Sequence, residues 1–315
     1  MKRALITGIN GFVGQYLAKE LESNGYEVWG SSRSDSLNFQ NNANLITLQY
    51  GNKQKIVEAL EAIQPTVLFH LSALSSVAKS WNAIAETFET NLMATIELVE
   101  AVRSSSIANE LKIVSVGSSE QYGLVDKQPI TEDAALNPLN PYGLSKLTME
   151  KTLFLYQKLY DMNIVHVRPF NHIGPGQRLG FVVTDFVKQI TDIEKGLARP
   201  FIGVGDLTAR RDFTDVRDIV KGYRLVSEVG IKGEAYNICS GVSVEIQSIL
   251  DTLLSFASKQ IEVYTDNEKI RPVNILEYYG DNSKLRNLTG WSPEIALEDS
   301  LKDIYDYWMN TEVSI

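Results

Sequence analysis

The sequence contains few cysteines and histidines and has no long apolar run. The single cysteine, Cys239, cannot form an internal disulfide, which fits a reducing compartment. No apolar stretch approaches the roughly 20 residues that a membrane-spanning helix needs. The N-terminal MKRALITG enters a strand pattern without the apolar core of a signal peptide. We therefore expect a cytoplasmic protein with no membrane partner and no metal site.

An excess of basic residues is also missing. The chain has 30 Lys and Arg against 39 Asp and Glu, a net charge of −9, whereas a nucleic-acid-binding protein normally presents a basic surface. With 44% hydrophobic and 22% charged residues, the composition is that of an ordinary folded globular protein. We expect no nucleic-acid partner, although a few local arginines could still bind a phosphorylated ligand.

The first half of the sequence alternates short apolar runs with amphipathic stretches. The predicted strands are Ala4–Thr7, Glu27–Gly30, Leu45–Leu48, Val67–Leu71, Lys112–Val116 and Ile164–Val167. Continuous apolar runs of this kind are typical of parallel strands buried on both faces. Apolar residues at helical spacing form two stripes, Val13–Leu17–Leu21 and Phe88–Leu92–Ile96–Val99. Strict alternation of strand and helix predicts an α/β fold with a Rossmann-type doubly wound parallel sheet.

The character of the sequence changes after Arg168, where prolines and glycines cluster in residues 168–180. We expect a smaller mixed α/β substrate domain from residues 170–211 and 239–315. The dinucleotide-binding domain would comprise residues 1–169 and about 212–238. Ligands of open α/β sheets bind beyond the carboxyl ends of the strands, so a C-terminal domain over that edge would close a cleft.

A glycine-rich turn follows the first predicted strand and opens the first predicted helix. Its first glycine permits a tight turn, its second lets the backbone approach a pyrophosphate, and its third allows close helix–strand packing. The helix N-terminus would then bind the phosphates. The residues of this predicted cofactor turn are Gly8, Asn10, Gly11, Phe12, Val13 and Gly14.

The end of the second strand indicates which dinucleotide is used. An NAD enzyme usually has an acidic residue there, whereas this chain has Ser32 followed by Arg33. A guanidinium suits the 2′-phosphate of NADP, so the sequence favours NADP(H) and leaves NAD(H) open as a second cofactor. The alternative is that Arg33 is a solvated surface residue.

Tyr142 and Lys146 stand four residues apart in a segment that begins after Asn137-Pro-Leu-Asn-Pro. On a helix these positions share a face. We expect the ammonium of Lys146 to lower the pKa of the Tyr142 phenol, which would suit general acid–base catalysis.

The spacing GxxGxxG and the pair Tyr142-xxx-Lys146 resemble the short-chain dehydrogenase/reductase superfamily. Ser118-Ser-Glu-Gln-Tyr-Gly123 is similar to its extended branch, which acts mainly on nucleotide-sugars. The resemblance implies that Ser118 is a third catalytic group polarising the substrate oxygen; the alternative is a serine that caps a strand end. It also implies that Leu71, Ala73 and Asn91 line the cofactor, with Lys146 on the nicotinamide ribose, whereas for His70 we expect a structural role.

Three further segments, residues 168–177 (RPFNHIGPGQ), 211–218 (RDFTDVRD) and Arg271-Pro272, look like those of bacterial reductases of GDP-4-keto-6-deoxy-D-mannose. This resemblance implies a GDP-sugar substrate and reduction of its C4 ketone by NADPH to GDP-D-rhamnose. The residues that it places on the nucleotide diphosphate are Asn171, Arg211 and Arg271, with Lys188 as a further candidate. For Arg211 the alternative is an ion pair with a neighbouring aspartate. Gln49 and Asn274 depart from the family pattern, which affects the expected adenine and sugar-nucleotide ribose contacts.

Other chemistries stay open at this point. Glu120 stands two residues before Tyr122-Gly123, where GDP-mannose 4,6-dehydratases carry an additional acid. Epimerisation of another nucleotide-sugar is a third alternative, and a non-catalytic NADP-binding protein is a fourth. The last of these would be expected to lose its acid–base groups, whereas Ser118, Tyr142 and Lys146 are all present.

The resemblance finally implies a homodimer in which the helices carrying residues 88–99 and 142–156 form a four-helix bundle. Their apolar stripes would equally suit a core within one chain.

Overall fold

The structure is a computed structural model that describes residues 2–32, 43–269 and 275–311. The strands are β1 Lys2–Thr7, β2 Tyr26–Ser31, β3 Asn44–Ile46, β4 Val67–His70, β5 Lys112–Val116, β6 Asn163–Pro169, β7 Asn171–Ile173, β8 Phe201–Val204, β9 Arg210–Arg211, β10 Phe213–Asp215, β11 Ala235–Ile238, β12 Val244–Glu245, β13 Glu262–Thr265 and β14 Glu277–Tyr278. The helices are α1 Phe12–Ser23, α2 Lys53–Ile63, α3 Val77–Ser80, α4 Ile84–Phe88, α5 Ala94–Arg103, α6 Pro141–Tyr160, α7 Val182–Glu194, α8 Val216–Val229, α9 Ile246–Ser255, α10 Ser283–Thr289 and α11 Leu297–Asn310. A π-helical segment, Glu89–Met93, joins α4 to α5, and short 3₁₀ turns occupy Ser119–Gln121 and Asn267–Lys269.

Seven strands of the described chain form one parallel sheet in the order β11-β6-β5-β4-β1-β2-β3. The order reverses between β1 and β4, which are hydrogen-bonded neighbours. This is the switch point of a doubly wound sheet, beside which such folds bind their ligands. The predicted Rossmann-type fold is confirmed, and the six predicted strands correspond to β1 to β6.

Apolar side chains cover both faces of this sheet. On one face, α1 and α8 pack on β1 and β2 through residues such as Leu17, Leu21 and Ile219. On the other face, α2, α5 and α6 pack on β4 and β5, with Leu60 and Met149 fully buried. Because both faces are buried, β4 has no exposed residue, which explains its continuous apolar sequence.

The two predicted helical stripes have different environments. Leu17 and Leu21 of the first stripe are fully buried against the sheet. In the second helical stretch, Thr87, Asn91 and Thr95 face inward, and the residues Phe88, Leu92 and Ile96 are only half-buried. The π-helical segment between α4 and α5 changes the helical phase, so an ideal 3.6-residue period does not identify the inward face there.

After β6 the chain builds a second group of elements. Helices α7, α9 and α11 form a separate apolar core, with small sheets β12-β9-β14 and β8-β13 at its edges. Between α7 and α9 the chain returns to the large sheet through α8, which packs on α1, and β11, which pairs with β6. The exact domain boundaries stay a prediction. Among the described residues, no helix combines the length and apolar character needed to cross a bilayer.

Candidate active site

The turn after β1 has the geometry of a phosphate cradle. Gly8 has φ +74°, and a Cβ on Gly14 would lie 2.6 Å from the carbonyl oxygens of Gly8 and Ile9. Gly11 is the N-cap of α1, and no side chain of the described residues caps that helix end. The first N–H groups of α1 can therefore bind an anion.

Asn10 and Ser32 meet at the ends of β1 and β2. Asn10 Nδ2 donates a 2.7 Å hydrogen bond to Ser32 Oγ. Asn10 Oδ1 is buried and has no partner within the described part of the chain. A buried acceptor without a donor is costly, so this atom fits a dinucleotide that offers a hydroxyl group. Arg33, the predicted 2′-phosphate ligand, lies outside the described residues.

Phe12 and Val13 occupy the first turn of α1 but face different surroundings. The ring of Phe12 stacks on the ring of His172, with a centroid separation of 6.2 Å and an interplanar angle of 5°. Val13 packs against the apolar core between α1 and the sheet. Tyr16, one turn further on, donates a 2.8 Å hydrogen bond to the carbonyl of Pro175. The glycine turn is therefore attached to the segment that follows β7.

The loop after β4 is held by Asn91. Leu71 and Ala73 in this loop are half-buried. Asn91 is fully buried; its Oδ1 accepts from Leu74 N–H at 2.8 Å, and its Nδ2 donates to the Leu74 carbonyl at 3.1 Å and to Ser145 Oγ at 3.0 Å. Asn91 therefore shapes the loop, and a direct contact with the cofactor stays a prediction.

His70, at the end of β4, is a buried structural residue. Its ring nitrogens lie 2.8 Å from Thr7 Oγ1 and 2.8 Å from Thr95 Oγ1. Burial, with a contribution from the charge of Lys146, lowers the pKa of His70 to about 3, so the ring is neutral.

Tyr142 and Lys146 lie in the first two turns of α6. Asn140 is the N-cap of this helix and accepts from Gly143 N–H at 2.8 Å, and Pro141 is its first residue. Both side chains are buried, with Tyr142 8% and Lys146 2% exposed. Lys146 Nζ donates a 2.7 Å hydrogen bond to the carbonyl of Val116, the last residue of β5.

The protonation of the two residues is set mainly by burial. Burial raises the pKa of Tyr142 to about 12, although Ser118 and the charge of Arg178 act in the opposite direction. Burial lowers the pKa of Lys146 to about 7. The expectation that Lys146 gives Tyr142 a lowered pKa is therefore wrong for the protein alone, because desolvation of the phenolate outweighs nearby positive charge. At neutral pH the phenol keeps its proton and can donate it.

Ser118 leaves the end of β5 directly toward Tyr142. Its hydroxyl lies close enough to the phenol to lower the phenol pKa. The same Oγ accepts from Glu120 N–H at 3.2 Å and caps the 3₁₀ turn that follows. The structure therefore shows the capping interpretation of Ser118, and its catalytic role stays a prediction.

Glu120 lies at the edge of this cluster. It is half-buried, and its Oε2 accepts a 2.7 Å hydrogen bond from Asn140 Nδ2. Its negative charge raises the pKa of Tyr142, which shows that the carboxylate lies near the phenol.

The predicted substrate residues are only partly brought together. Asn171 is exposed on β7 and donates to the Asp212 carbonyl at 3.2 Å. Arg211 is half-buried on β9 and donates a 2.8 Å hydrogen bond to the Arg210 carbonyl. Lys188 forms an ion pair with Asp192 on α7.

Arg271 lies outside the described residues. The assignment of these four residues to the substrate stays a prediction.

Two residues near the reacting groups were missed by the sequence analysis. Arg178 is exposed, donates a 3.1 Å hydrogen bond to Ser75 Oγ across the cleft, and lowers the pKa of Tyr142 by its charge. Tyr278 donates a 2.6 Å hydrogen bond to the carbonyl of Ser119. The cluster of glycines around Arg178 marks a loop, but nothing in its sequence shows where that loop folds back.

The burial of Lys146 predicts a stability cost. A lysine whose folded pKa is near 7 instead of 10.5 destabilises the fold fully below pH 7, and the cost disappears as pH approaches 10.5. Lys146→Met should therefore raise the free energy of unfolding at pH 7 by on the order of 1–3 kcal/mol, the gain being offset in part by the lost hydrogen bond. Urea unfolding at pH 7 and pH 10, without added nucleotide, measures the difference.

The matched control is Lys151→Met, an exposed lysine on the same helix, which should change stability little at either pH. A Lys146→Met variant that is less stable than wild type at pH 7 would show that this lysine is a structural residue.

Comparison with known proteins agrees with this geometry. The profile of the GDP-mannose 4,6 dehydratase family matches residues 5–304. GDP-6-deoxy-D-mannose reductase of Pseudomonas aeruginosa is 29% identical over 314 residues, which cover 98% of this chain and 97% of the relative. GDP-mannose 4,6-dehydratase of Vibrio cholerae is 27% identical over 342 residues, which cover 95% of this chain and 91% of the relative.

Comparison with solved structures also finds a similar reductase. The solved structure of RMD from Pseudomonas aeruginosa complexed with NADPH has a TM-score of 0.82 and 28% identity, covering 98% of this chain and 99% of that one. The family match over residues 5–304 includes both the dinucleotide turn and the cluster of Ser118, Tyr142 and Lys146. The chain is therefore an enzyme of the extended short-chain dehydrogenase/reductase type. The chain is a member of the GDP-mannose 4,6-dehydratase family.

Proposed function

We propose that the enzyme uses NADPH to reduce the C4 ketone of GDP-4-keto-6-deoxy-D-mannose, giving GDP-D-rhamnose. The observation that carries this proposal is the geometry of the site, in which the buried Tyr142 phenol lies close to Ser118 and Lys146 follows one turn later on α6. Reduction of a ketone needs a proton donor at the oxygen, and a tyrosine phenol can supply that proton. The GDP-6-deoxy-D-mannose reductase similar to this chain supports the choice of substrate.

The residues of the chain have distinct tasks in this reaction. When bound, NADPH supplies the hydride that is added to C4. Ser118 donates a hydrogen bond to the ketone oxygen and Tyr142 transfers its proton to that oxygen as negative charge develops. Lys146, anchored on the Val116 carbonyl, holds the nicotinamide ribose. Orientation and charge stabilisation are the protein's contributions.

The cofactor proposal is NADP(H), with NAD(H) as a second possibility. The orphaned Asn10 Oδ1, the Ser32 hydroxyl and the uncapped N-terminus of α1 suit a dinucleotide of either kind. The similar RMD structure is complexed with NADPH, which favours the phosphorylated form. Arg33 would bind the 2′-phosphate.

For the nucleotide diphosphate we propose Asn171, Arg211 and Arg271, with Lys188 as a further candidate. Arg211 lies close enough to Tyr278 for its charge to lower the phenol pKa, and Tyr278 is hydrogen-bonded to the Ser119 carbonyl. This places a cation beside the loop that carries Ser118. Guanidinium groups match the oxygens of a diphosphate.

A GDP-mannose 4,6-dehydratase is the second candidate, and Glu120 is the observation that favours it. Its carboxylate lies near Tyr142 and is oriented by Asn140, as an additional acid for elimination of water would need to be. That reaction regenerates its cofactor internally, so the two candidates differ in reductant consumption.

Tyr142→Phe should lower kcat by about 10²–10⁴-fold, because the proton donor is removed while the ring still fills its buried site. The Kd for NADPH should remain within about threefold of wild type, since binding needs no proton transfer. Steady-state kinetics and a fluorescence titration measure the two effects. Tyr156→Phe on the same helix is the control, and near-normal turnover of Tyr142→Phe would refute the assignment.

A substrate comparison separates the two candidate functions. Reductase activity predicts that absorbance of reduced nicotinamide falls when GDP-4-keto-6-deoxymannose and NADPH are mixed with enzyme, and that GDP-mannose alone is unchanged. A keto product formed from GDP-mannose without added reductant, and lost in Glu120→Gln, would instead establish the dehydratase.

We further propose that the enzyme is a homodimer. The half-buried stripe on the α4–α5 stretch and exposed leucines on α6 offer an apolar surface: Met93 is 52%, Leu144 46% and Leu155 53% exposed. These helices pack against each other, so the surface is formed by neighbouring elements. Two copies would bury it in a four-helix bundle.

Leu155→Glu should convert the dimer to a monomer, because a carboxylate would be desolvated in the apolar interface. Sedimentation equilibrium should give twice the chain mass of 35.2 kDa for wild type and a single chain mass for the variant. Leu197→Glu, an exposed leucine on the loop after α7, should remain dimeric. A monomeric wild type would contradict the proposal.

A further inference from the structure

A cluster of buried charged groups lies beneath the Ser118 loop. Glu150 is fully buried on α6, eight residues after Tyr142 on the same helix. Arg168 on β6 holds its carboxylate with two hydrogen bonds, from Nε at 2.9 Å and Nη2 at 2.6 Å. His166 Nε2 lies 3.1 Å from the same carboxylate. None of these groups touches the proposed reacting atoms.

Gln121 connects this cluster to Ser118. Its Nε2 donates a 2.5 Å hydrogen bond to Glu150 Oε2, and its Oε1 accepts the backbone N–H of Ser118 at 2.9 Å. The two ends of one amide therefore join the catalytic loop to helix α6. Because α6 also carries Tyr142, the connection fixes Ser118 relative to the phenol.

His166 fixes the orientation of that amide. His166 Nε2 faces two acceptors, Glu150 Oε2 at 3.1 Å and Gln121 Oε1 at 3.2 Å, so this nitrogen carries a proton. Ser115 Oγ lies 2.5 Å from Nδ1 of the same ring. Because Gln121 Oε1 faces the N–H groups of His166 and Ser118 while Nε2 faces the Glu150 carboxylate, the amide has one orientation.

The amide of Gln121 packs closely against the backbone of Gly117. A Cβ on Gly117 would lie 2.1 Å from Gln121 Oε1 and 2.2 Å from His166 Nε2. Arg168 Nη1 also donates to Tyr122 OH at 2.9 Å and to the Glu132 carbonyl at 3.1 Å. The loop from Ser118 to Tyr122 is thus attached to the cluster at both ends.

We propose that Glu150 and Arg168 are positioning residues for the reaction, acting through Gln121 to hold Ser118 against Tyr142. A buried ion pair usually adds little net stability, because the desolvation of both charges offsets their attraction. The ion pair acts here by fixing geometry. Arg168 holds the Glu150 carboxylate in place, the carboxylate accepts a hydrogen bond from the Gln121 amide, and the Gln121 amide accepts one from the Ser118 N–H. The proposal rests on the reductase function only for its kinetic test.

Gln121→Leu and Glu150→Leu test this connection separately and together. Each single variant should lower kcat for the keto sugar by about 10–100-fold, since a small misplacement of a catalytic group is costly. The KM for the sugar and the Kd for NADPH should stay within about threefold, because both side chains are fully buried and expose no atom to a ligand. The double variant should be no slower than the slower single variant, as expected when two residues act along one path.

Hydrogen exchange of the backbone amides in residues 117–123 provides a readout that needs no turnover. It should be faster in both single variants than in wild type. Glu20→Gln is the control, because it removes the negative charge from the half-buried Arg224–Glu20 ion pair, whose atoms are 2.8 Å apart and which joins α8 to α1. Exchange and kcat of this control should match wild type even where its melting temperature falls.

The outcomes are distinct. Normal kcat or normal exchange in Gln121→Leu overturns the proposal, even if Glu150→Leu does not fold. Additive losses in the double variant, or losses in the control of the same size, also overturn it. If wild type fails to reduce the keto sugar, the proposed function is refuted, while the exchange measurement still decides whether the network holds Ser118.

Discussion

Lys146 Nζ donates a 2.7 Å hydrogen bond to the carbonyl oxygen of Val116, and this contact joins helix α6 to the last residue of β5. Ser118 leaves the sheet two residues after Val116, and Tyr142 lies one turn before Lys146 on the helix. The position of the phenol relative to the serine therefore follows from how α6 is attached to the sheet edge. The parallel pairing of β5 with β4, and of β4 with β1, places this edge on the same side of the sheet as the loops that follow β1 and β4.

Desolvation dominates the electrostatics of the site. It raises the pKa of Tyr142 and lowers the pKa of Lys146. The phenol therefore keeps its proton at neutral pH, as a proton donor to a ketone oxygen must. Burial of an ammonium with a single carbonyl partner is unfavourable for folding, and such a cost is typical of functional sites.

The sequence predicts much of the fold and of the cofactor turn, because these depend on local patterns. Apolar runs identify β1 to β6, and the spacing of Gly8, Gly11 and Gly14 identifies the turn between β1 and α1. The pKa of Tyr142 could not be predicted, since spacing shows that Lys146 is near but not how deeply both residues are buried. The link from Ser118 to Glu150 was also missed, because Gln121, Glu150 and Arg168 come from three elements that only the tertiary fold brings together. For the stripe beginning at Phe88, the π-helical segment made the local period misleading.

The most direct test of the account is the fate of the hydride. NADPH carrying deuterium on the transferred position of the nicotinamide would be incubated with GDP-4-keto-6-deoxymannose, and the sugar product analysed by NMR. The account predicts one deuterium at C4 for each NADPH consumed, with the stereochemistry of GDP-D-rhamnose. Product that contains no deuterium at C4, or keto sugar that remains while the cofactor is unchanged, would contradict it.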